Sequence, residues 1–272
     1  MTISRRTQIF AGVLIASASV GLRTTVRAEP VTTQPNVLII GGSAAFGWHD
    51  VTGQGFVVRG LRGWSQVPLR FENRAVPGAT VKNPIITQNY YTWLKTYHPT
   101  IVALQWGLLN DLRVGTPWTK VLGTIREEIL QALSQNAVVF IITPPATRPT
   151  YTINQQSEPR LAEAEIAMAQ SLDSPNVYVL NVLQRMKAWL KAHHQTYVPY
   201  MAGLWDPNTK GHILAGRLLT EALQKKLPGG TSTFHSTGEF TPGLIYQATS
   251  AGLPRLTGLA SNAPGGGQGH RS

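Results

Sequence analysis

Asn36-Val37-Leu38-Ile39-Ile40-Gly41-Gly42-Ser43 decides how this chain folds. Residues 36–40 form a short apolar run rich in β-branched side chains, and two glycines stop it, so the run reads as a buried strand. Working outward, four further runs have the same character: 67–75, followed by Pro77-Gly78, then 101–105, 137–143 and 177–182. Helical spacing separates them. Residues 117–134 open on a proline and place Val121, Leu122, Ile125, Ile129, Leu130 and Leu133 along one stripe. The segments 157–172, 182–194 and 210–227 behave alike. Strands separated by helices imply a parallel sheet covered on both faces. The expected class is therefore α/β, a three-layer α/β/α sandwich on a five-stranded parallel sheet of flavodoxin-like type. Ligands of such sheets bind beyond the carboxyl ends of the strands. No repeat of 20 to 50 residues is present.

The flanks differ in kind. Residues 1–28 run from a basic stretch, Ser4-Arg5-Arg6, through an apolar run from Ile9 to Leu22, to a small-residue exit at Val26-Arg27-Ala28. That order is the pattern of an export signal and is too short in its apolar part for a spanning helix. The Arg5-Arg6 pair resembles a twin-arginine signal, although Gln8 stands where that signal carries a bulky apolar residue, so the general secretory route stays open as well. From 229 to 272 Gly, Ser, Thr and Pro dominate, a composition unable to offset its own ordering entropy, and a flexible tail is expected. The folded domain is accordingly expected over 29–228, in a secreted protein with no integral membrane segment once the signal is removed.

The formal net charge is +11, and the four arginines of segment 1–28, which has no acidic residue, leave +7 on the remainder. These charges are scattered, whereas a nucleic-acid surface clusters them on one face or helix. A basic exported protein drawn to anionic polymers is the better reading, with cell-wall association as one consequence. The chain has no cysteine. Disulfides, thiolate metal sites and a cysteine nucleophile are therefore excluded.

Three polar clusters follow the first three strands: Ser43, Gly78, and Gly107-Leu108-Leu109-Asn110-Asp111. Any one alone reads as a turn; their common edge of the sheet makes a site of them. In these clusters the chain resembles the SGNH (GDSL-type) hydrolase family over roughly residues 36–226. Gly41-Gly42-Ser43 stands where the family reads Gly-Asp-Ser, Gly78 matches the glycine of the second block, and Gly107–Asp111 matches Gly-x-Asn-Asp with one extra residue. Trp205-Asp206-Pro207-Asn208 approaches the last block. The resemblance implies a serine ester hydrolase with Ser43 as nucleophile. Its oxyanion hole would be formed by the backbone N–H groups of Ser43 and Gly78 and the side-chain amide of Asn110. It implies small acyl esters or acetylated polysaccharide as substrates, and neither a metal nor an organic cofactor.

An ester carbonyl attacked by a hydroxyl becomes a tetrahedral oxyanion, and donors fixed beforehand stabilise it. The proton acceptor is where this sequence departs from the family. Where the family reads Asp-x-x-His-Pro-Asn, Gly203 and Asp206 occupy the Asp and His positions. Three readings stand side by side. His212 serves as base, oriented by Asp206; Asp206 itself accepts the proton, weakly; or the site has lost its chemistry and binds a glycan or cell-wall polymer. His49 could approach the site or sit in a solvated loop. His193-His194 point apart on a helix, which disfavours joint chelation. Trp48, Trp106 and Trp205 lie next to the motif loops and fit a cleft lining or core packing equally. Asp111 is expected to anchor its loop, and residues 143–147 either wall the pocket or form a plain turn.

Overall fold

The run beginning at Asn36 is β1, Asn36–Gly41, buried from its second residue onward. The computed structural model describes residues 34–228. The export signal expected over 1–28, the tail expected over 229–272 and the first residues of the expected domain lie outside the described residues. After β1 the chain makes α1 (Ser43–Phe46) and α2 (Gly55–Trp64), β2 (Arg70–Asn73), α3 (Pro84–Tyr97) and β3 (Ile101–Gln105). It continues through α4 (Leu109–Val114), α5 (Trp118–Ser134), β4 (Val138–Ile142), α6 (Arg148–Tyr151), α7 (Ser157–Gln170), β5 (Val177–Leu180) and α8 (Val182–Ala192). A hairpin of β6 (Met201–Ala202) and β7 (Asp206–Pro207) then leads into α9 (Thr209–Lys226).

The sheet has five parallel strands in the order β2-β1-β3-β4-β5. That is the flavodoxin-like order, whose crevice opens where β1 and β3 diverge to opposite sides of the sheet. β3 and β4 are buried at every position, as befits strands covered on both faces. The expected strands all form: β1 runs one residue further, to Gly41, β3 keeps its expected bounds, and β2, β4 and β5 are shorter than expected. β2 shrinks from 67–75 to four residues because it is an edge strand and its flanks leave the ladder to make the loops on either side.

Helices α2 and α3, which periodicity did not single out, complete the layers. Asn83 caps α3, its side chain accepting from the N–H groups of Ile85 and Ile86, with Pro84 in the first helical position. Helices α2 and α9 approach closely at glycines: a methyl group at Gly60 would sit 2.6 Å from the Leu219 side chain. Asn208 caps α9 by accepting from the Gly211 N–H at 3.0 Å, and its amide donates to the carbonyls of Pro199 and Met201. The Pro-Asn of the last block therefore fixes the β6–β7 hairpin against the start of the last helix.

Candidate active site

At the carboxyl end of β1 the chain passes so near β3 that only glycine fits. Gly41 has φ +151°, and a Cβ there would fall 1.9 Å from the Gln105 carbonyl oxygen. The chain then turns directly into α1, which begins at half-buried Ser43. The N–H groups of Gly47 and Trp48 both return to the Ser43 carbonyl, at 3.1 and 3.0 Å, closing the turn beneath the hydroxyl-bearing residue.

Gly78 lies in a turn closed by the Ala79 N–H to the Val76 carbonyl at 3.0 Å. Its φ is +75°, and a Cβ would meet nothing within 4 Å. Backbone conformation rather than crowding thus calls for glycine, and open space lies over it. Asn110 in α4 donates through Nδ2 to the Ala79 carbonyl at 3.1 Å. A carboxamide nitrogen carries two hydrogens, so this bond fixes the group and leaves one N–H to donate. Asp111, buried beside it, accepts the Val81 N–H at 3.2 Å and ties the same two loops together, as expected of a loop anchor. Burial raises the Asp111 carboxyl above its ordinary range, against bonds from Thr116 and Val81 that pull it down. The extra residue of the third block is absorbed at Leu108, which takes φ +57° and buries its side chain.

These loops meet around Gly42. A Cβ there would lie 3.7 Å from the Gly107 nitrogen and 3.8 Å from both the Ala79 oxygen and the Asn110 Nδ2. Immediately beyond, Ser43, Asn110, Pro144, Pro145, Trp205 and Asp206 line one cleft of about 30 Å³. The structure thus brings Ser43, Asn110 and Asp206 together, with Gly78 one residue from the carbonyl that holds Asn110. Segment 143–147 does wall the pocket.

His212 is elsewhere. Its ring is fully buried between α9 and α2 and lies over Phe56, with ring centroids 6.4 Å apart. Nδ1 accepts the Phe56 N–H at 3.2 Å, which leaves Nε2–H to donate to the Trp48 carbonyl at 2.9 Å. Both nitrogens are committed to backbone, so the expectation of a base at His212 is corrected: this imidazole holds the loop after α1 to the last helix. Burial depresses its pKa, opposed by the Trp48 bond and by Asp50. That loop is fixed further by Asp50, which accepts from the Thr52 and Gly55 N–H groups and from Arg59 at 3.0 Å. Burial alone would raise the Asp50 pKa, but the Arg59 and backbone donors bring it down to about 2. Val51 adds a bond from its N–H to Thr209 Oγ1.

The other candidates separate cleanly. His49 is exposed, at φ +63°, with its ring against the edge of Trp48. His193 packs on Trp189 at the end of α8, and among the described residues no group of three or more His, Cys, Asp or Glu is arranged to hold a metal. Trp205 lines the cleft, Trp48 is exposed and packs against Phe46, and Trp106 belongs to the core, donating to Glu128 Oε2 at 2.7 Å. Glu128 and Glu165 are an unforeseen pair of fully buried acids on α5 and α7. Desolvation pushes each up to about 8, and each also feels another glutamate nearby.

The profile of the GDSL-like lipase/acylhydrolase family matches residues 39–214. No curated protein matches the chain. Among solved structures, similarity extends to Axe2, an acetylxylan esterase from Geobacillus stearothermophilus, at 14% identity and TM-score 0.57, covering 70% of this chain and 94% of that one. A lipolytic protein of the G-D-S-L family from Desulfitobacterium hafniense is similar at 18% identity and TM-score 0.54, covering 70% and 100% of the two chains. The protein YXIM from Bacillus subtilis is similar at 17% identity and TM-score 0.60, covering 73% and 58%. At such identities the likeness is one of fold.

Proposed function

This chain belongs to the GDSL-like lipase/acylhydrolase family, and from that premise we propose that it cleaves small acyl esters of carbohydrate outside the cytoplasm, with Ser43 as nucleophile. The observation that carries the reading is the shared cleft of Ser43, Asn110 and Asp206 at the β1/β3 crevice. The hydroxyl of Ser43 attacks the ester carbonyl. The oxyanion is met by the free N–H of the Asn110 amide and by the backbone N–H groups of Ser43 and Gly78. The sugar hydroxyl leaves and water releases the acyl group. The narrow cleft between Ser43, Pro144, Pro145 and Trp205 suits a small acyl group. An acetylxylan esterase among the similar folds agrees with that size class. The reading of segment 1–28 as an export signal supports an extracytoplasmic place of action.

Proton transfer falls to Asp206, the acid-base side chain of the cleft lining. A carboxylate accepts a serine proton less readily than an imidazole near neutral pH, and turnover is slow for that reason. The locked imidazole of His212 favours a second reading, in which the cleft binds acylated polymer without cleaving it.

Turnover of p-nitrophenyl acetate decides between them. A rate in the wild type that Ser43→Ala reduces to background supports hydrolysis; equal rates in both proteins support the binder. The double variant Gly203→Asp with Asp206→His then tests whether the base alone limits the site. Gly203 has φ +70° with no atom within 4 Å of its Cβ position, and Asp is among the residues that tolerate that conformation. A gain of about 10²-fold is expected. An unchanged rate, in a folded variant, would show that the oxyanion site is not assembled.

A further inference from the structure

The first helix carries more than the nucleophile. Ser43 and Phe46 are three residues apart in α1 and so share its face. Phe46 is 42% exposed, and Trp48, 44% exposed, lies against it with centroids 6.2 Å apart and the planes tilted by 51°. His49 continues the row, edge-on to Trp48 at 5.5 Å. In the cleft lining Trp205 lies beneath the Arg113 guanidinium at 5.9 Å, and Leu204 next to it in the chain is exposed. Single exposed apolar residues need no explanation. Three rings in a row, each touching the next through Trp48, beginning one turn from Ser43 and left open while their backbone is clamped by His212 and Asp50, are a built surface.

Resting on the reading that the cleft takes acyl esters, we propose that Phe46, Trp48 and His49 form a platform on which the sugar rings of an uncharged polysaccharide chain stack, so that the substrate is a polymer and the platform selects it. Pyranose rings present C–H faces to aromatic planes and hydroxyls at their edges, and the row offers both aromatic faces and the imidazole nitrogens of His49. Charge narrows the ligand further. Asp206 in the cleft repels an anionic sugar at the reacting unit. Asp206 likewise disfavours the anionic headgroups of a lipid surface as the occupant of the rings. The clamps hold the platform still, so stacking orders few side chains.

The test uses full-length Ser43→Ala protein, so that binding is read without cleavage, and partially acetylated xylo-oligosaccharide as the probe, by calorimetry. Adding Phe46→Ala and Trp48→Ala should weaken binding by about tenfold or more, as loss of aromatic anchors does. Tyr91→Ala, removing another exposed ring on α3, should leave it unchanged. No binding by the parent, equal binding by the platform variants, or stronger partition onto phosphatidylglycerol vesicles than onto the glycan would each overturn the proposal. Turnover of p-nitrophenyl acetate by the wild-type serine protein separates the two claims. A platform that binds glycan in a protein without esterase activity keeps the platform and removes the hydrolase; esterase activity without platform binding does the reverse.

Discussion

Replacing Glu165 by Gln should flatten the pH dependence of stability. Glu165 is fully buried on α7, neither of its oxygens finds a hydrogen-bond partner among the described residues, and its carboxyl is pushed up to about 8. In the unfolded chain the same group titrates near 4.5. The native state therefore keeps a proton that the unfolded state gives up. The stabilisation is complete below about 4.5 and is lost as pH rises through about 8. Each pH unit in that window is worth about 1.4 kcal/mol per group. Between pH 5 and pH 8, allowing for half-titration at the upper end, Glu165 alone removes roughly 3 kcal/mol. The buried amide of the variant costs a fixed amount at every pH and does not alter the slope. Urea unfolding at pH 5 and pH 8 should show the wild type losing about 3 kcal/mol more than Glu165→Gln over that interval. Because the comparison is a difference, the opposite titration of His212 and of groups away from Glu165 largely cancels, while Glu128, whose charge adds to the Glu165 shift, is coupled to it. Parallel profiles in the two proteins would refute the reasoning and mean that water or a donor reaches the Glu165 carboxylate.

If Asn110 is the oxyanion donor proposed above, Asn110→Ala should lower Ser43-dependent turnover of p-nitrophenyl acetate by about 10²–10³-fold with an unchanged circular dichroism spectrum. Gly41→Ala should fail on folding rather than chemistry: its φ of +151° and a contact of 1.9 Å with the Gln105 carbonyl point to a loss of more than about 3 kcal/mol, measured by urea melts. His212→Leu should cost about 2–4 kcal/mol, because the Phe56 N–H and Trp48 carbonyl lose their partner in a buried place. Turnover should fall only as far as the loosened loop allows. Abolished turnover at native stability would return the base to His212.

What could be read from the sequence was what depends on neighbours along the chain. β1, β3 and β4 are buried on both faces, and such strands leave unbroken apolar runs. Ser43, Gly78 and Asn110 stand at strand ends, where the chain order fixes the edge of the sheet they share. Helix α2 escaped because it is short and carries Gly55, Gly60 and Gly63, residues that lower helix propensity, although Gly60 and Gly63 serve close contact with α9. The acid pair escaped for a related reason. Glu128 and Glu165 occupy helix positions where a glutamate ordinarily faces water, and only the packing of α5 on α7 turns them inward. Of the ring row at 46–49, the sequence singles out Trp48 and His49 and not Phe46. The row's adjacency came from the turn that brings Trp48 back to the Ser43 carbonyl.

The fate of His212 shows why the last block must be read by direction and not by proximity alone. A residue on α9 that faces inward meets α2, because glycines at 60 and 216 draw the two helices together; a methyl at Gly216 would lie 2.8 Å from the Arg59 Cβ. Its side chain is thereby committed to the interior, where the free ends of α2 and of the loop after α1 supply an N–H and a carbonyl to satisfy it. The residue just ahead of the helix, on the hairpin that Asn208 pins, is the one that shares the cleft with Ser43, and that residue is Asp206. On the proposed reading, the base for Ser43 is therefore sought among the cleft-lining residues of the hairpin rather than on α9. An imidazole elsewhere on α9, however close in sequence, supports the loop and not the proton.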